Sequence, residues 1–126
     1  HGEPDQEAGA TRVLVVEDEP LILMATVDMI SELGHTVHEA GSAEDALAVL
    51  EEEQIDILLT DVGLPGMAGT DLAKRVRERW PTVRIVFASG DDSARAASGI
   101  EDAFQLAKPF TIDGLALVLS KCLALP

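Results

Sequence analysis

The sequence predicts an α/β fold, a three-layer sandwich in which helices cover both faces of a five-stranded parallel sheet. Five short runs read as strands, four of them mostly apolar and one alternating, and helical patterns separate them. Strands that alternate with helices form parallel sheets through right-handed crossovers. Mostly apolar runs are typical of strands buried on both faces. The predicted strands are residues 12–17, 36–40, 55–61, 83–88 and 103–107.

The predicted helices begin and end at recognisable residues. Pro20 opens the first helix, because a missing N–H is harmless at the first helical position, and Gly34 ends it. Ser42, Thr70 and Thr111 are the expected N-caps of later helices. Residues 92–101 are mainly small and polar, so any helix there is short. The expected inner faces are Ile22, Thr26, Met29, Ile30 and Leu33; Ala43, Ala46, Leu47 and Leu50; Leu72, Val76 and Trp80; and Leu115, Val118, Leu119 and Cys122.

The chain has 126 residues and a formal net charge of −14. This length suits one domain, which we place at residues 11–126, after a flexible tail or linker at residues 1–10. The negative charge argues against direct binding to nucleic acid, which needs a basic surface. No apolar run is long enough to span a membrane, and no signal-peptide pattern precedes the first strand. We therefore expect a cytoplasmic domain that does not itself enter a membrane.

Two surface features have either a structural or a binding interpretation. The third predicted helix carries a basic group, which is either a solvated helix face or a docking patch. The first helix has more apolar residues than one inner stripe needs, which indicates either further packing or a site for a partner helix. The basic group is Lys74, Arg75, Arg77 and Arg79, and the additional apolar residues are Leu21, Leu23, Met24 and Val27.

Chemically useful side chains follow four of the five predicted strands. Glu17 and Asp18 follow the first strand, Asp61 ends the third, and Ser89 and Lys108 follow the fourth and fifth. The carboxyl ends of parallel strands lie at one edge of the sheet, where ligands bind in open α/β folds. We therefore expect these five residues to share one site.

The residue types at this edge suit phosphoryl transfer. Three neighbouring carboxylates repel one another, and an oxygen-only ligand set without His or Cys favours Mg²⁺. The Lys108 ammonium and the Ser89 hydroxyl can neutralise and bind phosphoryl oxygens while Asp61 attacks in line.

Four motifs resemble those of two-component response-regulator receiver domains, over residues 12–124. They are Val-Val-Glu-Asp-Glu-Pro, Leu-Thr-Asp-Val-Gly-Leu-Pro-Gly-Met-Ala-Gly, Phe-Ala-Ser-Gly and Ala-Lys-Pro-Phe. The resemblance implies the flavodoxin-like strand order 2-1-3-4-5. It also implies a phospho-acceptor domain, not an enzyme in its own right, that promotes its own phosphorylation and dephosphorylation.

The resemblance also assigns roles to individual residues. Asp61 would accept a phosphoryl group from a histidine kinase or a histidine phosphotransfer domain. Asp18, Asp61 and the Gly63 carbonyl would ligate Mg²⁺, and Glu17 would do so mainly through water. Ser89 and Lys108 would contact the phosphoryl oxygens.

Two departures from the family pattern separate this chain from most receivers. Gln105 stands where the family usually has Tyr or Phe, three residues before the lysine, and the interval from Ser89 to Lys108 is short. Together with Phe-Ala-Ser-Gly, these features resemble a subgroup that has a Phe-Ala-Thr/Ser-Gly motif and a reduced fourth helix. The usual relay between a hydroxyl and an aromatic ring is therefore not expected here.

Two other functions fit part of this pattern. A Mg²⁺-dependent phosphatase with an Asp nucleophile usually has a second acid two residues later, where this chain has Gly63. A pseudo-receiver that acts only by protein contact would not need the complete set of acids, hydroxyl and lysine. The polar segment before Thr11 and the missing initiator Met favour the receiver of a hybrid histidine kinase over a single-domain regulator. A homodimer is compatible with this sequence.

Overall fold

A computed structural model describes residues 11–90 and 93–124; the tail predicted at residues 1–10 lies outside the described residues. The strands are β1 (Arg12–Val16), β2 (Thr36–Ala40), β3 (Ile57–Asp61), β4 (Arg84–Ser89) and β5 (Phe104–Ala107). The helices are α1 (Pro20–Glu32), α2 (Ala43–Glu52), α3 (Gly69–Arg79), α4 (Ser93–Ser98) and α5 (Ile112–Ala124). Strands and helices alternate as predicted.

All five strands pair in parallel, in the order β2-β1-β3-β4-β5. This confirms both the α/β sandwich and the 2-1-3-4-5 order. The β3–β4 and β4–β5 pairings decide where functional groups meet, because Asp61 pairs with Ala88 and Ser89 pairs with Ala107. The ends of β3, β4 and β5 are therefore level with one another at the carboxyl edge.

Successive strand residues pack into two separate cores, one on each face of the sheet. On β1, Leu14 packs towards α2, α3 and α4, whereas Val13 and Val15 pack towards α1 and α5. The strands β1, β3 and β4 are almost fully buried, as expected for the middle of a parallel sheet. This rigid layer holds the loops at the carboxyl edge in place.

Several helix predictions are confirmed. Ser42 Oγ accepts a hydrogen bond from Asp45 N at 3.1 Å, and Thr111 Oγ1 accepts one from Gly114 N at 3.1 Å. The inner face of α5 is buried as expected, and burial raises the pKa of the Cys122 thiol to about 11, against a smaller opposite effect of Arg84. The short helix expected within residues 92–101 is present as the six-residue α4.

Two helix predictions are wrong. Ile22 is 41% exposed, because the stripe of α1 that packs on the core runs through Leu23, Val27 and Ile30, at i, i+4 and i+7. Ile22 lies beside this stripe and lines a surface groove. Thr70 does not cap the third helix, which begins one residue earlier, at Gly69, with no side-chain cap. At this end of the helix, Gly69 N donates to Val62 O at 2.9 Å, so a backbone carbonyl accepts the hydrogen bond instead of a capping side chain.

The basic residues of α3 are partly engaged within the chain. Arg77 Nη1 lies 2.9 Å from Asp102 Oδ2, which ties α3 to the segment before β5. Arg79 forms an ion pair with Glu51 and stacks over the Trp80 ring at 4.9 Å. Among the described residues, none of the helices has the length and apolar character needed to cross a membrane.

Candidate functional site

The structure brings the predicted site residues together at the carboxyl edge of the sheet. Glu17 and Asp18 follow β1, Asp61 is the last residue of β3, Ser89 is the last of β4, and Lys108 follows β5. The backbone reinforces this arrangement, since Lys108 N donates to Ser89 O at 2.8 Å beyond the regular β4–β5 pairing. Each functional side chain thus lies at or just after the carboxyl end of a strand.

Three carboxylates converge on one point. Glu17, Asp18 and Asp61 each offer an oxygen atom, and these atoms all lie within 4.8 Å of one another. Glu17 is only 6% exposed, and its Oε2 accepts a hydrogen bond from Glu19 N at 3.1 Å. Asp18 is exposed and Asp61 is half-buried, so the cluster opens towards solvent. Carboxylate oxygens of this kind are the ligands that a hard divalent cation prefers.

Lys108 supplies the positive charge of the site. Its Nζ donates to Asp61 Oδ1 at 2.6 Å and to Glu17 Oε1 at 3.3 Å. Partial burial lowers the pKa of Lys108, but the hydrogen bonds and charges of Asp61 and Glu17 outweigh it, and the pKa is raised above its ordinary value of 10.5. Lys108 therefore carries a fixed charge at physiological pH.

The end of the loop after β3 packs tightly against the backbone of Asp61. A Cβ atom on Gly69 would lie 2.1 Å from Asp61 O and 3.0 Å from Val62 Cα, so only glycine fits there. Gly66 has φ +79°, a left-handed conformation that favours glycine. Gly63, expected to offer its carbonyl to a metal, lies beside the carboxylate, since a Cβ there would be 4.0 Å from Asp61 Oδ2.

We predict that Gly69→Ala destabilises the protein and displaces Asp61. The new Cβ would meet backbone atoms of Asp61, which cannot rotate away as a side chain can, so the free energy of unfolding should fall by about 2 kcal/mol or more. Chemical denaturation measures this. Gly41→Ala is the matched control, because nothing lies within 4 Å of a Cβ at Gly41. Equal stability of the two variants would contradict the close approach.

Ser89 has a polar neighbour that the sequence did not reveal. Gln105 Nε2 donates to Ser89 Oγ at 2.7 Å and to Phe87 O at 3.3 Å. The sequence marked Gln105 only as the replacement of an aromatic residue. Its role could not be predicted without the β4–β5 register, which pairs Gln105 with Phe87 and so directs its amide towards Ser89.

An apolar groove of about 450 Å³ adjoins the carboxylate cluster. Its walls come from α1 and from the loop after β5, including Lys108. Leu21 is 77% exposed here, so part of the apolar excess on α1 is not used in packing. The lining residues are Leu21, Ile22, Ala25, Thr26, Met29, Lys108, Pro109 and Phe110.

Comparisons with known proteins agree with this geometry. The family described as response regulator receiver domain matches residues 13–120. Sensor kinase CckA of Brucella abortus is 36% identical over 121 residues, which cover 92% of this chain and 13% of the kinase. The chain thus spans about an eighth of that relative's length.

Two solved structures are similar in both fold and sequence. The receiver domain of NtrX from Brucella abortus has a TM-score of 0.82 and 27% identity, covering 90% of this chain and 99% of that one. The response regulator TrrA from Thermotoga maritima, solved in complex with Mg²⁺-BeF, has a TM-score of 0.81 and 26% identity, covering 89% and 98%. With the family match across most of its length, the chain belongs to the response regulator receiver domains of two-component signalling.

Proposed function

We propose that Asp61 is the residue that accepts the phosphoryl group. A carboxylate oxygen of Asp61 attacks phosphorus, the new O–P bond forms as the P–N bond of a donor phosphohistidine breaks, and the imidazole leaves with the bonding electron pair. The observation that carries this proposal is the contact of Lys108 Nζ with Asp61 Oδ1 at 2.6 Å, beside two further carboxylates. An ion pair between Lys108 and Asp61 that served only stability would not need Glu17 and Asp18 at the same point.

The donor set supports a Mg²⁺ site. Glu17, Asp18 and Asp61 offer only oxygen atoms within 4.8 Å of one another, and the site is open to solvent on the Asp18 side. We infer that Asp18, Asp61 and the Gly63 carbonyl hold the ion, with Glu17 acting mainly through water. When bound, Mg²⁺ neutralises charge on the phosphoryl oxygens. The similar receiver from Thermotoga maritima was solved with Mg²⁺-BeF.

Lys108 and Ser89 complete the proposed site. The Lys108 ammonium lies close to Asp61 and balances the negative charge that the incoming phosphoryl group adds. Ser89 ends the strand next to β3, one residue beyond the partner of Asp61, so its hydroxyl can donate to a phosphoryl oxygen. Both interactions strengthen as negative charge develops on the phosphoryl oxygens, which stabilises the transition state. The same residues promote later hydrolysis of the acyl phosphate by water.

We predict that Mg²⁺ raises the melting temperature of the wild type and has a smaller effect on Asp18→Asn. Binding only to the folded state stabilises it by about 2.7 kcal/mol at a hundred times the dissociation constant. Thermal melts with and without Mg²⁺ measure the response. Asp28→Asn, which alters an exposed acid on α1, is the control and should respond like wild type. An equal Mg²⁺ response in all three proteins would contradict the site.

We further infer that the groove beside Lys108 receives the phosphohistidine-bearing protein. A donor histidine must come within bonding distance of Asp61, and the groove is an apolar surface lined in part by Lys108, whose Nζ donates to Asp61. Leu21 lies in the wall of the groove and is exposed. It would become buried when the partner binds, and a side chain buried in this way typically contributes more than about 1 kcal/mol of binding free energy. Histidine kinases and histidine phosphotransfer domains are the partners of suitable chemistry.

We predict that Leu21→Asp slows transfer from a phosphorylated histidine phosphotransfer domain by roughly tenfold, the equivalent of about 1.4 kcal/mol. Labelling by a small phosphodonor should stay at the wild-type rate, because that reaction needs no docking. Leu117→Asp is the matched control, since Leu117 is 59% exposed on α5 and outside the groove. Slowing of both donors by Leu21→Asp would indicate damage to the site, not to docking.

We also infer that the domain, at residues 11–126, belongs to a hybrid histidine kinase and works in the cytoplasm, where ATP supplies the phosphoryl group that forms phosphohistidine on the kinase. Support comes from the similarity to Sensor kinase CckA, of which the chain spans 13%. Residues 1–10 would then connect it to the preceding domain. The sequence of the complete gene tests this inference. A gene that encodes this domain and no other would contradict it.

A further inference from the structure

Gln105 occupies a position between the β4 backbone and the candidate phosphoryl site. Its side-chain amide donates from Nε2 to Ser89 Oγ at 2.7 Å and to Phe87 O at 3.3 Å. Ser89 and Phe87 are two residues apart on β4, so their side chains lie on the same face of the sheet. The Gln105 amide therefore links the strand backbone to the hydroxyl that ends the strand.

The direction of these hydrogen bonds follows from chemistry. The Phe87 carbonyl can only accept, so the amide must present its NH₂ group, and not its oxygen, to that side. One N–H then points to Phe87 O and the other to Ser89 Oγ. Ser89 Oγ consequently accepts from Gln105, and the Ser89 hydroxyl proton must point to an acceptor other than Gln105.

We propose that Gln105 is a positioning residue for phosphoryl transfer: by donating to Ser89 Oγ it directs the Ser89 hydroxyl proton towards the phosphoryl group on Asp61. This proposal rests on the proposed function of the site. Without the amide, the hydroxyl could rotate and donate back to strand β4. With the amide, the Ser89 O–H is a preorganised donor, which is the arrangement that stabilises charge developing in a transition state.

Gln105 thereby takes the place of the aromatic ring that receivers usually have. A ring at this position can turn, but it cannot donate two hydrogen bonds. The glutamine amide is fixed by the Phe87 carbonyl, and turning away would break the bonds to Phe87 O and Ser89 Oγ. A hydrogen-bonded amide beside Ser89 thus replaces a mobile aromatic ring.

The isosteric variant Gln105→Glu separates this role from packing, because it keeps the side-chain size but replaces the donor by an acceptor. The Ser89 hydroxyl would then donate to the new carboxylate and be lost to the phosphoryl group. We expect labelling by acetyl phosphate with Mg²⁺ to slow roughly tenfold, as in Ser89→Ala, at unchanged phosphodonor concentration. Gln105→Met, which has neither donor nor charge, should slow labelling by a smaller factor.

A double-mutant cycle tests whether Gln105 acts through Ser89. Adding Gln105→Glu or Gln105→Met to Ser89→Ala should cause no further slowing, because the hydroxyl that Gln105 positions is already absent. In ¹⁹F spectra of the Mg²⁺-fluoroberyllate complex, Gln105→Glu should shift the same fluorine resonance as Ser89→Ala. Gln54→Glu, a change at an exposed glutamine before β3, is the matched control and should behave as wild type.

The outcomes are distinct. Further slowing in the Ser89→Ala background would indicate simple charge repulsion or a packing defect, and would overturn the proposal. Wild-type labelling by folded Gln105→Glu would overturn it as well. If Gln105→Glu does not fold, Gln105→Met decides by the same cycle. Failure of the wild type itself to label or to bind fluoroberyllate would instead contradict the proposed function.

Discussion

Asp61→Asn is expected to abolish phosphoryl incorporation. With Mg²⁺ and a small phosphodonor such as acetyl phosphate, the intact mass of the wild type should rise by one phosphoryl group, and that of the variant should not. An amide oxygen is a poor nucleophile and cannot form the acyl phosphate. The rate should fall by a factor of at least about 10³, which is about 4 kcal/mol in activation free energy.

The control for this variant is Asp71→Asn. Asp71 is an exposed carboxylate in the first turn of α3, so its replacement removes the same charge away from the carboxylate cluster. It should label like wild type, and the label should be lost at alkaline pH, as an acyl phosphate is. Equal labelling of Asp61→Asn and wild type would mean that the nucleophile is another residue.

Lys108→Ala is expected to weaken both stability and phosphorylation. Glu17 is 6% exposed and would lose the cation 3.3 Å away, while Asp61 would lose the one at 2.6 Å. Removing one partner of a buried pair costs about 3–5 kcal/mol. Because the Lys108 side chain is 26% exposed, we expect about 1–3 kcal/mol, measured by chemical denaturation without Mg²⁺.

The loss of stability in Lys108→Ala should be smaller when Mg²⁺ is added, because a divalent cation can neutralise the same carboxylates. Phosphorylation should persist, since Asp61 remains, but at a rate roughly tenfold lower because one positive charge near the phosphoryl oxygens is gone. Lys121→Ala, a change at an exposed lysine on α5, is the matched control. Identical denaturation of the two variants would contradict the ion-pair role of Lys108.

The sequence predicted the sheet and which side chains meet at its carboxyl edge. Apolar runs such as 55–61 indicate buried strands, and parallel strands place their final residues at a common edge, so Asp61, Ser89 and Lys108 could be assigned to one site. Cap residues were predictable where only local bonding decides, as at Ser42 and Thr111. The strand order came from resemblance to a family, since local patterns do not reveal which strands pair.

Features that depend on tertiary contacts could not be predicted. The third helix begins at Gly69 and not at Thr70, because the backbone there packs against Asp61 and Val62. Ile22 fits a helical stripe, yet the core is contacted by Leu23 and Val27, and Ile22 lines a groove. The bond from Gln105 to Ser89 depends on the register between two strands that are distant in sequence.

The most direct measurement identifies the phosphorylated residue chemically. Protein labelled by acetyl phosphate with Mg²⁺ is treated with borohydride, which reduces an aspartyl phosphate to homoserine, and the peptides are sequenced by mass spectrometry. The proposed chemistry predicts homoserine at position 61 and at no other aspartate. Homoserine at another position, or a stable label on a hydroxyl or imidazole with position 61 unchanged, would contradict the assignment of Asp61 as the phospho-acceptor.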